Sequence, residues 1–169
     1  MQRNSRFNLL LTQDRPHTGE QHHWTHQLPR LLEPHGVEAF LASTGRDAID
    51  LAERQPIHAA VVDLGTPVGD EQQPRQQSAE GLWLLELIRR LPNRPPVVLL
   101  RKPATSRTQA DRLLREALRL GVFTVMNKPV QLEQLLTVFQ RLMDKRYQGA
   151  WPGNPQAADP ADDSFSSPT

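Results

Sequence analysis

Residues 59–67 read Ala-Ala-Val-Val-Asp-Leu-Gly-Thr-Pro. Four apolar residues run without interruption and stop on a carboxylate. A strand with one wet face alternates apolar and polar residues. A run that is apolar at every position is buried on both faces, as in a parallel sheet covered by helices. Gly65 and Pro67 then mark the end of the strand and a turn. Near-continuous apolar runs stand also at Asn8–Thr12, Val37–Ala42, Pro96–Leu100 and Val122–Met126.

Between these runs the apolar period changes to that of a helix. Over Gly19–His35, Trp24, Leu28, Leu31 and Leu32 share one face, and Gly36 supplies a stop. Ser43-Thr44 caps a helix over Gly45–Gln55 that turns Ala48, Leu51 and Ala52 inward. Gly81–Leu91, with Leu82, Leu85 and Ile88, is a third helix, after a polar loop over Thr66–Glu80. Asp111–Leu120 (Leu113, Leu114, Ala117, Leu118) is a fourth, stopped by Gly121, and Pro129–Tyr147 is the last. Five strands alternating with five helices predict a doubly wound five-stranded parallel sheet, an α/β fold.

Composition narrows the function. Twenty Lys and Arg against 19 Asp and Glu give a charge of +1, so no strong field draws nucleic acid or an anionic membrane. Cysteine is absent, which excludes disulfides, thiolate metal sites and a cysteine nucleophile, and fits a reducing compartment. No apolar run approaches the ~18 residues of a membrane span, and Leu9–Leu11 is too short for a signal-peptide core. The expectation is a cytoplasmic protein that binds neither nucleic acid nor membrane. Residues 1–6 read as a flexible N-terminus, 7–148 as the domain, and 71–80 as a loop insertion. The 21 residues 149–169 hold four prolines, three aspartates and no Lys or Arg, and read as a disordered tail.

In a doubly wound sheet the site lies beyond the C-terminal ends of the strands. Asp14 follows the first strand, Asp63 ends the third and Lys128 follows the fifth. Two carboxylates and an ammonium at one end of a parallel sheet suit phosphoryl transfer. One carboxylate is the nucleophile, the other holds Mg²⁺ through oxygen, and the lysine neutralises the transferred group.

The segments Ala42–Ala52, Val61–Pro67, Leu118–Val122 and Asn127–Pro129 resemble the receiver domain of bacterial two-component response regulators, over about residues 7 to 147. The resemblance implies a flavodoxin-like sheet of order 2-1-3-4-5. It makes Asp63 the phosphoacceptor, four residues before Pro67, with Lys128 as its partner and a cis bond between Lys128 and Pro129. Mg²⁺ would be held weakly by Asp14, Asp63, the Gly65 carbonyl and Gln13. The partners implied are a histidine kinase or phosphotransfer protein and a downstream protein. A homodimer through the fourth helix, fifth strand and fifth helix would also follow from the resemblance.

The sequence departs from that pattern. Gln13-Asp14 replaces two adjacent acidic residues. Arg101 stands where receivers carry a Ser or Thr switch; Thr105 and Ser106 follow a few positions later. Arg101 is therefore a candidate contact for a phosphoryl group or for Asp63, and Thr105 and Ser106 are candidates to reach back. Val125 replaces the usual aromatic of the fifth strand, and Phe123 reads as core. Of the six histidines, His22 and His26 have metal-ligand spacing on a helix, but a solvated face is the better reading. Two functions follow: a phosphoacceptor signalling domain, or a degenerate receiver acting as a phosphorylation-independent interaction module. A small-ligand binder of flavodoxin type would want a glycine-rich loop after the first strand, and none is present.

Overall fold

The computed structural model describes residues 6–14, 23–69 and 77–148. The proposed insertion is covered only from residue 77, and the proposed tail, His17 and His22 lie outside the described residues. The strands are β1 (Phe7–Thr12), β2 (Val37–Ala42), β3 (Ala59–Asp63), β4 (Val97–Arg101) and β5 (Thr124–Asn127). The helices are α1 (His23–Leu32), α2 (Gly45–Arg54), α3 (Gln77–Arg89), α4 (Arg107–Arg119) and α5 (Leu132–Tyr147). All strand pairs are parallel, in the order β2-β1-β3-β4-β5.

The apolar runs divide their side chains between two cores, because successive strand residues point to opposite faces. Leu9, Leu11, Val61, Val98 and Leu100 pack with Trp24 and Leu28 of α1 and with Leu135, Phe139 and Leu142 of α5. Leu10, Val62 and Leu99 pack on the other face with Ala48 of α2, Leu84, Leu85 and Ile88 of α3 and Ala117 of α4. No helix among the described residues is long and apolar enough to cross a membrane.

Several boundaries differ from expectation, each for a local reason. Helix α1 ends at Leu32, and Glu33–His35, which contains Pro34, tightens into a 3₁₀ turn. Its buried stripe is Trp24, Thr25, Leu28 and Leu32; Leu31 falls at the stripe's edge and is exposed. Helix α3 begins at Gln77, inside the expected loop, because residues 77–80 contain neither Gly nor Pro. Helix α4 begins at Arg107, capped by Ser106, whose Oγ accepts the Gln109 N–H at 3.2 Å.

Strand β5 starts two residues late because Val122 belongs to the end of α4. Gly121 takes φ +77°, its N–H donates to the Leu118 carbonyl, and the Val122 N–H donates to the Ala117 carbonyl. This pair of bonds is a Schellman motif, and it needs a left-handed residue. Helix α5 starts at Leu132, beyond the cis Lys128–Pro129 bond. Phe123 packs against the core on the α1–α5 side, as expected, and Val125 on the other side.

At the N-terminal end of the strands, His58 joins β1 to the end of α5. The Asn8 N–H donates to His58 Nδ1 at 2.8 Å, so the ring is neutral with its proton on Nε2. The Tyr147 hydroxyl donates to the His58 carbonyl. Phe7 stacks near His58 and meets Phe139 and Tyr147 edge-on. Burial lowers the His58 pKa and raises that of Tyr147.

Because the folded His58 binds its proton less readily than the unfolded chain, its contribution is complete above the ordinary histidine pKa of about 6.5. It is lost as the pH falls through that value toward the lower folded one. Urea denaturation at about pH 7.5 and about pH 5.5 should show this loss. A His58→Gln variant should lose less stability between the two; an equal loss would show that His58 does not carry the effect.

Candidate functional site

Three strand ends converge at the C-terminal edge of the sheet. Asp63 is the last residue of β3 and is 1% exposed; Asp14, two residues beyond β1, is 4% exposed. Lys128 follows β5, its N–H donating to the Arg101 carbonyl at 2.7 Å. Its Nζ donates to Asp63 Oδ1 at 3.0 Å and Oδ2 at 2.9 Å, and to Asp14 Oδ2 at 3.4 Å. Two nearly dry carboxylates without a cation would be strongly destabilising, and the lysine between them offsets their charge.

Two buried hydroxyls hold the strand end in place. The Asp63 N–H donates to Thr12 Oγ1 at 3.0 Å, and Thr12 Oγ1 lies 2.8 Å from Thr66 Oγ1. The Gly65 N–H donates to Asp63 Oδ1 at 2.8 Å and turns the carboxylate back over its own loop. Gly65 also makes room for Asp14: a Cβ there would lie 2.4 Å from the Asp14 carboxyl carbon. A side chain at position 65 would therefore displace the carboxylate.

The sequence missed three participants. Thr12 and Thr66 position Asp63, and the signal was available: Thr12 is a hydroxyl ending an apolar strand, and Thr66 follows the end of β3 by three residues. Lys102 places Nζ 3.8 Å from Asp14 Oδ2 while its side chain remains 47% exposed. Two ammoniums thus face two carboxylates. An exposed lysine after a strand carries no signal of its own, and only the fold brings it to Asp14.

Arg101, Thr105 and Ser106 each have hydrogen-bond partners away from Asp63. Arg101 Nε donates to Asn127 Oδ1 at 2.9 Å and Nη1 to the Ala110 carbonyl at 3.4 Å, so among the described residues its guanidinium is not paired with Asp63. Thr105 donates to Gln109 Oε1 at 3.0 Å, and Ser106 is taken up by the α4 cap, so neither hydroxyl reaches back to Asp63. Gln13 is half-buried beside Asp14. A cavity of about 810 Å³ opens next to Lys128, lined among others by Gly65, Leu82, Arg101, Lys102 and Arg112.

Asp14 and Asp63 present oxygen donors, the set that Mg²⁺ takes, and the Gly65 carbonyl lies in the same loop. The residues fit that ion in kind. No group of three metal-ligating His, Cys, Asp or Glu side chains forms among the described residues. An ion here would therefore keep most of its waters, as Mg²⁺ does.

Sheet order and site position together define the doubly wound fold of receiver domains. Solved structures bear this out. The chain is similar to a CheY-like response regulator receiver domain protein from Methanospirillum hungatei JF-1, with TM-score 0.62 and 20% identity over 86% of this chain and 100% of that one. It is similar to the chemotaxis protein CheY4 of Vibrio cholerae (TM-score 0.59, 20% identity, 81% of this chain and 98% of that one). A response regulator from Thermotoga maritima is similar at TM-score 0.59 and 19% identity, over 82% and 98% of the two chains. No family model and no curated protein matches the sequence. The chain has the CheY-like, flavodoxin-like receiver fold.

Thr12→Val keeps the shape and removes the acceptor for the buried Asp63 N–H. It should cost about 1–3 kcal/mol, the penalty of an unsatisfied buried donor. Gly65→Ala, which collides with Asp14, should cost a similar ~1–3 kcal/mol. Urea denaturation measures both; an unchanged midpoint in either would show that the contact does not bear on stability.

Proposed function

We propose that this chain is a receiver of two-component phosphorelay signalling that accepts a phosphoryl group on Asp63. One observation carries the reading: a buried strand-end carboxylate with an ammonium bonded to both its oxygens and a second carboxylate sharing that ammonium. The donor is a phosphohistidine on a histidine kinase or phosphotransfer protein. An Asp63 oxygen attacks phosphorus, the P–N bond breaks, and its electron pair stays on the imidazole as an acyl phosphate forms. Lys128, already on both Asp63 oxygens, follows the charge onto the phosphoryl group, and Lys102 adds a second cation at Asp14. Asp14, Asp63 and the Gly65 carbonyl, with Gln13 beside them, would hold Mg²⁺, which when bound neutralises phosphoryl oxygens. The chain acts as a phosphoacceptor rather than as a turnover enzyme. Its output is a downstream protein, met on the surface of α4, β5 and α5, where Leu114 and Leu118 are exposed. A homodimer would use the same surface.

A second reading, a phosphorylation-independent interaction module, is favoured by one feature. Arg101 occupies the end of β4 and is tied to Asn127 and Ala110, while Ser106 is committed to a helix cap. A hydroxyl switch of the receiver kind then has no place to operate.

Intact mass after incubation with Mg²⁺ and acetyl phosphate separates the two. The first reading expects a gain of one phosphoryl group, absent in Asp63→Ala and slowed roughly tenfold or more in Lys128→Ala. No gain in the folded protein, with the donor active on an ordinary receiver, overturns it and leaves the interaction module.

A further inference from the structure

At the end of the sheet remote from Asp63, α3 and α4 finish around a shared depression of about 510 Å³. It is lined by Glu86, Arg89, Arg90, Arg94, Arg119 and Leu120. Four guanidiniums and one carboxylate line it, and Glu116 beside it pairs with Arg119, which still leaves a local positive excess in a chain whose overall charge is only +1. Among the described residues, the guanidiniums of Arg89, Arg90 and Arg94 have no hydrogen bond or ion pair. The C-terminal ends of α3 and α4 offset part of this charge, about half a unit each, and a positive surface remains.

The last turn of α5 comes to the same place. Arg146 Nη2 donates to the Arg94 carbonyl at 3.3 Å, and the helix closes at Gln148. The residues that follow, 149–169, carry Asp159, Asp162 and Asp163 and no Lys or Arg. Asp159 lies eleven positions beyond Gln148, a span of up to roughly 35–40 Å. Sign, starting point and reach agree.

We propose that the acidic segment around Asp159–Asp163 docks on the arginine pole of its own chain, pairing its carboxylates with Arg89, Arg90 and Arg94. Arginine is suited to the role because its planar fork meets a carboxylate through two N–H groups. Single exposed pairs of this kind are weak and screened by salt. Tethering raises the local concentration of the segment to the millimolar range, which lets several weak pairs act together. The contact is therefore reversible, and an acidic partner protein that competes for the arginines would displace it. The surface lies away from the phosphoacceptor, and the inference does not depend on whether Asp63 is phosphorylated.

The absence of cysteine makes the test direct. A Ser166→Cys variant of the full chain, carrying a nitroxide, is observed by paramagnetic broadening of backbone amide signals. Broadening is expected at residues 86–94 and 116–120, lost at high salt and in the same chain with Asp159, Asp162 and Asp163 changed to Asn. Unchanged amide signals over the rest of the chain show that the Asn variant is folded. Broadening elsewhere, or broadening at the pole that survives the Asn substitutions, overturns the proposal. So does broadening that arises only between labelled and unlabelled molecules in a mixture, which would instead mark contact with a second copy.

Discussion

A parallel sheet covered on both faces allows no water along its central strands, and this constraint organises the rest of the molecule. Strands β1, β3 and β4 are buried through nearly their whole length, so ionisable chemistry is confined to their ends. The helices cover the faces and leave the C-terminal edge open, and Asp14, Asp63 and Lys128 meet there. The same architecture sends the C-terminal ends of the helices to the opposite edge, where the arginines gather. Charged side chains are thus divided between two poles by the burial of the middle.

At the acidic pole the geometry is set by backbone accounting as much as by charge. Asp63 ends its strand with its N–H satisfied by Thr12 and one oxygen held by the Gly65 N–H, before any ion or substrate is considered. Its carboxylate is thereby preorganised, with Lys128 closing the arrangement from β5. Gly65 serves twice, once as a donor and once by lacking a side chain where Asp14 must lie. Lys102 is held more loosely, at longer range and half exposed, so its influence on Asp14 is modest and sensitive to salt.

Much of this was legible in the sequence, because the decisive signals are local. Apolar runs such as Ala59–Val62 identified the strands, and the residue type at each strand end identified Asp14, Asp63 and Lys128. Thr44 marked the start of α2, and Gly36 the end of the 3₁₀ turn that follows α1. What escaped depends on distance in three dimensions. Lys102 approaches Asp14 only because β4 and β1 flank β3. Arg101 was placed correctly at its strand end, but Asn127 and Ala110, its actual partners, are remote in sequence. The boundaries misread at Val122 and Gln77 were contests between neighbouring elements. A helix cap claimed Val122, and ordinary helix formers extended α3 into what composition marked as loop.

The Schellman motif that takes Val122 from β5 has an effect on the whole sheet. It shortens that edge strand to four residues, so few backbone groups stand open for another chain to pair with. At the other edge, β2 carries Glu38, exposed and in contact with Arg6. Both rims are therefore poor templates for strand addition, which protects an otherwise very apolar sheet from growing into aggregates. Assembly of copies by continuation of the sheet is disfavoured, and the helical faces are left as the surfaces through which the molecule meets others.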